Sequence, residues 1–500
     1  MKLSELLCGA GAISGLEENA ELEISCVASD SRRVTPGSAF VCLKGIHDDG
    51  HLHVKEAAKK GAILIVAEEP HEDVGLPTVY VENTHGALAF IWNNYYGRPS
   101  EKMDVVGITG TNGKTSTAYF MREVFRGAGY KTGLVGTVQC LAGERDITNE
   151  KHSESMGALA NMTTPDPESL YGILKIMADE GVEIVFMEAT SHALALRKLD
   201  AIKFKFGVFT NLTPDHLDFH GGMENYFAAK SKLFSMCEKG IINIDDPYGK
   251  RLCANAKCKV YTASSEGKDA DFRADDMKDA GSDGVEYLFT SKRDIYRIKS
   301  PIPGIFTVKN TLLCASLASI CGIHMTTVKD VIRGFSGISG RMERVKCHGA
   351  DFSVFIDYAH TPDALENLLL SVRDFRREGE RITLVFGCGG DRDRTKRAVM
   401  GEIASRLADR VFITSDNSRG EDSAEIIFDI LRGVNKNAVY TAIADRREAI
   451  EQAVATAERG EIIILAGKGH EKYEIKGDVR TSFDEREIVR EAVEKYHTKR

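Results

Sequence analysis

Along this chain, short apolar runs return at intervals, separated by stretches in which apolar residues recur every three or four positions. The first hundred residues hold four such runs, at 22–28, 39–43, 62–67 and 78–81, and close on Tyr96-Gly97-Arg98-Pro99-Ser100, a linker-like junction. A second series falls at 105–108, 132–137, 184–188, 206–211 and 241–244, and a third at 354–358, 382–387, 411–415 and 462–466. The later runs are continuous rather than alternating, as in strands buried on both faces of a parallel sheet, and helical periodicity fills the gaps. The pattern predicts an α/β protein of three domains: a small one over 1–100, a central one with a mostly parallel sheet over 101–340, and a C-terminal one over 341–500. Residues 265–300 are polar, charged and glycine-containing, which predicts a peripheral hairpin or loop.

Polar clusters follow these runs, at 110–115, 188–192, 211–220, 357–360, 387–394, 416–419 and 467–471. Open α/β sheets bind ligands at the carboxyl ends of their strands, so the two larger domains are expected to face each other across one cleft. The most specific cluster is Gly107-Ile108-Thr109-Gly110-Thr111-Asn112-Gly113-Lys114-Thr115. It lies between an apolar run and an amphipathic segment with Phe120, Val124 and Ala128 on one face and Met121 and Phe125 beside it. Strand, glycine loop, helix is the order of a phosphate-binding loop. Gly110 and Gly113 let the backbone aim its N–H groups, across Thr111 and Asn112, at phosphate oxygens. Lys114 supplies a point charge, and the Thr115 hydroxyl suits Mg²⁺. The general pattern has Gly where Ile108 stands, so this is the shorter T-G-T-N-G-K-T form. A nucleoside triphosphate is the expected ligand.

Glu188 closes the run at 184–188, where a second Mg²⁺ ligand belongs, and His192 lies four residues on. After the run at 206–211 come Asp215, His216, Asp218 and His220, of which His216 is the better metal-ligand candidate. His192 and His220 serve equally well as structural residues. Lys230 follows Tyr226-Phe227-Ala228-Ala229 on a helix; buried there it can lose its proton, and exposed it is an ordinary solvated lysine. Asp416-Asn417-Ser418-Arg419 sets a bidentate carboxylate binder beside an amide and a carboxylate that could hold an ammonium group, a set suited to an amino acid zwitterion. Arg392 and Glu471 repeat the pair of charges, which would match a ligand with two carboxylates and two amines. The competing reading of these four is ordinary surface ion pairs.

Composition narrows the class. The chain has 500 residues, 43% hydrophobic and 28% charged, and no apolar run approaches the roughly 20 residues that span a bilayer. The start, Met1-Lys2-Leu3-Ser4-Glu5, does not resemble a signal peptide, so a cytoplasmic protein without a membrane partner is expected. Eleven scattered cysteines, with Cys253 and Cys258 the nearest in sequence, predict reduced thiols rather than a zinc or disulfide framework. Net charge is −9, from 65 basic and 74 acidic residues, with no basic stripe, which argues against nucleic acid as a partner.

Several segments, taken in order, resemble the Mur ligase family over nearly the whole chain. They are Asp30-Ser31-Arg32, Pro36-Gly37-Ser38-Ala39-Phe40, the loop at 110–115, Thr163-Thr164-Pro165, Ser191-His192-Ala193-Leu194, and Thr210-Asn211-Leu212 with Asp215-His216-Leu217-Asp218. They continue with Gly340-Arg341-Met342-Glu343-Arg344, Asp357-Tyr358-Ala359-His360-Thr361-Pro362-Asp363 and Ala466-Gly467-Lys468-Gly469-His470-Glu471. The resemblance is strongest to the branch that adds a diamino acid to a UDP-N-acetylmuramoyl dipeptide.

That resemblance implies an N-terminal UDP-binding domain, a central P-loop ATPase domain and a Rossmann-like C-terminal domain. It implies ATP-dependent, ADP-forming ligation in peptidoglycan synthesis, with UDP-N-acetylmuramoyl-L-Ala-D-Glu and a diamino acid, foremost meso-diaminopimelate, joined through an acyl phosphate. Domain closure would bring the amine to that intermediate while excluding water. By the same resemblance, Gly110, Thr111, Asn112, Gly113, Lys114 and Thr115 bind ATP phosphates, and Asn310, Arg341 and Asp357 contact adenine and ribose. Thr115 and Glu188 hold one Mg²⁺; His216 and Lys230, the latter as a CO₂-derived carbamate, hold a second. Lys114, Lys230 and His216 are the catalytic set. Ser31, the loop at 45–49, Thr163, Thr164, Thr190 and Lys198 match positions holding the UDP-sugar peptide, and Arg392, Asp416, Asn417, Arg419, Gly467 and Glu471 match the amino acid pocket. A monomer is expected.

Three positions depart from the family pattern: Ser418 replaces Pro, Lys198 replaces Arg, and Met162 stands where Asn is common. They put the rigidity of the Arg419 loop and the grip on the nucleotide substrate in question. Alternatives are use of L-lysine, a sister ligase such as a folylpolyglutamate or cyanophycin synthetase, and a non-catalytic ATP-binding partner of an amidotransferase. The early Asp30-Ser31-Arg32 domain and the lack of a cysteine-rich insertion count against the last two.

Overall fold

The computed structural model of the chain describes residues 1–45, 48–148, 163–279, 281–335 and 337–497. It divides into two compact units, Met1–Ser264 with Leu313–His324, and Ser265–Leu312 with Met325–Arg500. The loop expected at 45–49 falls partly, and Met162 wholly, outside the described residues.

The first unit begins with a small sheet in the order Ala12–Ser14, Thr78–Val81, Ala62–Ala67, Ser38–Val41, Cys26–Ala28. It is parallel except at Ala12–Ser14. The run at 22–28 makes a strand only over its last three residues. Its earlier backbone is taken by the start of the chain, with Leu3 N donating to Leu22 O and Ile24 N to Met1 O, both at 2.9 Å.

A second sheet of this unit runs Lys259–Ser264, Cys237–Asn243, Phe204–Phe209, Asp104–Thr109, Ile184–Glu188, Thr132–Val135, all parallel. Val105, Val106, Ile108, Val185, Phe186, Met187 and Phe209 are fully buried, which is why these strands read as unbroken apolar runs. Lys259–Ser264 is mostly half-buried and has no such run, so the pattern does not announce it. Because Asp104–Thr109 lies between Phe204–Phe209 and Ile184–Glu188, the loops leaving these three strands are neighbours. The helix after the first of them, Lys114–Gly127, buries Phe120, Met121, Val124 and Phe125. Ala128, expected on the same face, is its exposed C-cap.

In the second unit, residues 265–300, expected as a hairpin or loop, hold three strands. Phe272–Asp279, Val285–Ser291 and Ile295–Ser300 form an antiparallel meander in which alternate residues Val285, Tyr287 and Phe289 are buried, a period the polar composition conceals. The main sheet runs Glu343–Val345, Ser353–Asp357, Ile462–Ala466, Ile382–Phe386, Arg410–Ile413, Tyr440–Ala442, parallel except at its first strand. Helices cover both faces, with Leu365, Leu369, Met400 and Ile430 on one and Ala449, Ile450, Val489 and Val493 on the other. The loops leaving its central strands carry Asp357, Arg392, Asp416–Arg419 and Gly467–Glu471 at one edge, as open α/β sheets arrange their ligand loops. All eleven cysteines are outside any disulfide. Among the described residues no helix is long and apolar enough to cross a membrane.

Candidate functional site

In the first unit the glycine loop is fixed against the end of the neighbouring strand. Thr111 N donates to Asn211 O at 2.9 Å, Asn112 N to Asn211 Oδ1 at 2.9 Å, and Thr111 Oγ1 to Thr213 O at 3.1 Å. Gly110 has φ +152°, and a Cβ there would lie 1.8 Å from Thr210 Oγ1, so no other residue fits this contact. Gly113 starts the helix Lys114–Gly127, which has no side-chain cap. An anion is therefore favoured at that end by the macrodipole. Lys114 Nζ folds over the loop onto Gly110 O at 3.0 Å and Thr111 O at 2.8 Å.

Behind the loop, Thr115 Oγ1 lies 3.0 Å from each carboxylate oxygen of Glu188. The same carboxylate accepts from Thr137 N at 2.9 Å and Thr137 Oγ1 at 3.2 Å. These are hard oxygen donors of the kind Mg²⁺ takes while keeping waters and phosphate oxygens for its other positions. The described residues hold no cluster of three or more His, Cys, Asp or Glu fit for a metal, so any cation here would rely on such extra ligands.

Lys230 is not a solvated helix lysine. It is 2% exposed, its Nζ donates to Gly110 O at 2.7 Å, and it lies 4.5 Å above the Tyr226 ring. Burial, then the like charge of Lys114, push its amine well below the usual lysine range. His216, in the left-handed region at φ 52°, packs edge-on against His192 with ring centroids 4.7 Å apart. Burial, with His216 and His220 adding to it, lowers His192 to about 4. His220 is buried and paired with Ser191 Oγ at 3.0 Å, a structural role.

Of the residues assigned to the UDP-substrate, three threonines gather beside Glu188. Thr164 Oγ1 donates to Glu188 O at 2.7 Å and lies 3.1 Å from Thr190 Oγ1, and Thr163 Oγ1 accepts from Thr137 Oγ1 at 3.0 Å. Lys198 pairs with Asp166 at 2.5 Å. Ser31 donates to Glu56 at 2.7 Å. Thr137, which bridges the carboxylate and Thr163, escaped the sequence reading because a lone threonine after a strand carries no pattern.

The second unit brings the acceptor candidates together. Asn417 Nδ2 donates to Glu471 Oε2 at 2.7 Å, and Asp416 Oδ1 accepts from Asn417 N at 2.6 Å. Burial raises the Glu471 carboxyl, and the Asn417 hydrogen bond opposes that. Arg419 Nη1 donates to Gly390 O at 2.9 Å and Asn417 O at 3.3 Å, while its Nε and Nη2 have no partner among the described residues. Arg392 is exposed and also unpaired among them, and its stem lies beside Gly389, as does the Arg419 guanidinium. Its loop is anchored by Glu421, which accepts from Asp391 N at 2.6 Å and from Arg397 at 2.8 and 3.0 Å; Arg397 holds that carboxyl down to about 2.

Two supports in this unit were missed. Lys468, fully buried, donates to Asn417 Oδ1 at 2.9 Å and Tyr473 O at 3.0 Å; it stood in a quoted motif without a role. Arg446, 1% exposed, ties the ends of two strands by donating to Ser415 O at 3.2 Å and Ala466 O at 2.9 Å.

Nearby, Asp357 accepts from Met342 N at 2.8 Å and Ala359 N at 2.9 Å, and burial raises its carboxyl. Gly467 N donates to Asp357 O at 3.1 Å. Arg341 lies 5.4 Å over the Tyr358 ring, and its Nε, like His470 Nδ1, is buried without a hydrogen-bond partner. Such orphans are costly unless a ligand meets them. Asn310 is buried on the helix Ile305–Ile320.

A phosphate loop with a buried lysine beneath it, and a separate α/β unit displaying arginines and carboxylates at its strand ends, define a nucleotide-dependent enzyme that handles an amino acid. The chain matches the Mur ligase family catalytic domain over residues 23–96, the Mur ligase middle domain over 108–318 and the Mur ligase glutamate ligase domain over 340–469. It belongs to the Mur ligase family.

Among its relatives is the UDP-N-acetylmuramoyl-L-alanyl-D-glutamate--2,6-diaminopimelate ligase of Clostridioides difficile (strain 630), 41% identical over 99% of this chain and 100% of that one. The ligase of the same name from Caldanaerobacter subterraneus subsp. tengcongensis is 42% identical over 98% of each chain. A solved structure of a ligase of that name superposes with a TM-score of 0.68 at 27% identity, covering 97% of this chain and 99% of that one.

Proposed function

We propose that this chain joins 2,6-diaminopimelate, as the meso isomer, to UDP-N-acetylmuramoyl-L-Ala-D-Glu, with ATP consumed to ADP and phosphate, in peptidoglycan precursor synthesis. The observation that carries the reading is Lys230, buried beneath the phosphate loop with its amine on Gly110 O. A neutral amine there can add to CO₂ and lose a proton, which replaces the amine by an anionic pair of oxygens.

In the reaction, the glutamate γ-carboxylate attacks the γ-phosphorus of ATP and ADP leaves. The amine of diaminopimelate then attacks the acyl phosphate carbon, phosphate departs, and the amine gives up a proton. Lys114 and the loop amides would stabilise charge on the transferred phosphoryl oxygens. Thr115 and Glu188 would hold one Mg²⁺, and His216 with a carbamate on Lys230 a second; bound Mg²⁺ neutralises phosphate charge. Gly110 to Thr115, Asn310, Arg341 and Asp357 would bind ATP. Ser31, Thr163, Thr164, Thr190 and Lys198 would bind the UDP-dipeptide.

Arg392 and Arg419 would take the two carboxylates of diaminopimelate, with Asp416, Asn417, Gly467 and Glu471 around its amines. The reading implies three functional domains at 1–100, 101–340 and 341–500 in a cytoplasmic monomer. Phosphate release that depends jointly on the UDP-dipeptide and diaminopimelate tests it, and release that ignores either substrate overturns it.

A further inference from the structure

The start of the last helix, Glu485–Tyr496, carries three charged residues in a row that the proposed chemistry leaves unused: Asp484, Glu485 and Arg486. Asp484 caps the helix by accepting from Arg486 N at 3.0 Å, and Glu485 pairs with the buried Arg446 at 2.8 Å. Arg486 turns away from the helix into two loops at once. Its Nε donates to Glu343 Oε1 at 2.7 Å, and Nη2 donates to Glu343 Oε2, to Ser339 Oγ at 2.8 Å and to Gly469 O at 3.3 Å. Its Nη1 is held by Asp484 at 3.2 Å. Glu343 in turn accepts from Gly340 N at 2.7 Å.

One guanidinium therefore fastens the loop carrying Arg341 and the loop carrying Gly467 and Glu471. The two loops also touch directly. Gly340 has φ +69°, and a Cβ on it would lie 2.1 Å from His470 N and 2.2 Å from Gly469 C. Above the junction, Tyr358 sits 5.4 Å from Arg341 and 5.1 Å from His470, the two residues with orphaned buried nitrogens.

We propose that Arg486 is a positioning residue that couples nucleotide binding at the Arg341 loop to amino acid binding at the Gly467–Glu471 loop. The proposal rests on the nucleotide and diaminopimelate roles assigned above. A pair serving stability alone would spend its donors within one element or across a core contact, and its loss would lower melting temperature without touching substrate affinities. Here the donors go to both loops, so a displaced guanidinium moves both sites together.

The test compares wild type with Arg486→Lys, Glu343→Gln and Gly340→Ala in the phosphate-release assay, alongside thermal melts. Lysine keeps the charge but cannot span both loops; Gly340→Ala leaves the ion pair intact and forces the loops apart. The expected result is a rise in KM for both ATP and diaminopimelate, about fivefold or more, with kcat at saturation within about twofold. Unchanged KM for either substrate in the folded variants, or a loss confined to kcat, overturns the coupling. Should the Arg486 variant not fold, Gly340→Ala alone decides on the same criterion. Failure of wild type to release phosphate with diaminopimelate overturns the proposed function instead, and is seen before any variant is made.

Discussion

Acceptor choice is the sharpest consequence of the second unit's geometry. A guanidinium offers five N–H donors in a fixed fork. Arg419 spends Nη1 on Gly390 O and Asn417 O, which leaves the Nε and Nη2 edge as one bidentate face for a carboxylate. Arg392, unpaired among the described residues and also beside Gly389, supplies a second. L-lysine has one carboxylate and would leave one of these cations without its anion. A charge-assisted hydrogen bond is worth about 1.5–3 kcal/mol, so meso-diaminopimelate should be preferred by roughly 10- to 150-fold in kcat/KM. Arg419→Ala should lose about that factor with diaminopimelate while KM for ATP stays within roughly twofold, since on the proposed reading its unpaired edge meets the acceptor. Arg419→Lys should recover little, because an ammonium cannot reproduce the fork. The assay is chromatographic separation of the two tripeptide products from a reaction containing both amino acids at equal concentration. Equal or better use of L-lysine by the unmodified enzyme would refute the two-cation reasoning and leave the ligase reading standing.

Lys114→Ala should lower turnover at least about 100-fold, because it removes the cation folded over the loop; retention of a tenth of wild-type turnover would remove the phosphate-loop assignment. Lys230→Ala should be nearly inactive and partly restored by acetate, whose carboxylate replaces the carbamate; full activity without acetate would return Lys230 to a packing role. Glu421 has its carboxyl held near 2 by Arg397, below the ordinary value of about 4.3. A depressed carboxyl contributes stability that is present above its unfolded value and lost as pH falls through its folded one, so Glu421→Gln should flatten the fall in melting temperature between about pH 4.5 and 2; an unchanged slope there would show that the Arg397 pair does not matter to acid stability.

What could be read in the sequence was what the backbone writes as a pattern. Parallel strands buried on both faces read as near-continuous apolar runs, so the runs at 105–108, 184–187 and 462–466 stand out, and the polar clusters that follow them are conspicuous. The glycine loop was legible for the same reason, since its turn needs glycine where Thr210 crowds it. The meander at 272–300 showed only as a hairpin or loop, because its middle strand buries alternate residues within a polar stretch. Lys230 was not legible from its segment: a lysine after Tyr226-Phe227-Ala228-Ala229 reads more readily as solvated, and only its burial against Gly110 O settles the matter.

Supporting groups are harder to find than the groups they support, and Ser418 shows why. Replacing the family's proline suggests a looser loop for Arg419, because proline would fix one backbone angle. The loop is restrained another way: Arg419 N donates to Ile475 O at 3.1 Å, Gly477 N donates to Arg419 O at 2.7 Å, and Glu421 N donates to Ser418 O at 3.0 Å. Three backbone hydrogen bonds, two of them to the hairpin of Tyr473–Lys476 and Val479–Ser482, hold Arg419 at φ 48°. None of the three depends on side-chain identity, so no residue pattern could have announced them. If Arg419 takes the acceptor as proposed, the hairpin gains a part in that binding that its own polar, half-exposed sequence does not suggest, because Arg419 is held by backbone more than fifty residues further along the chain.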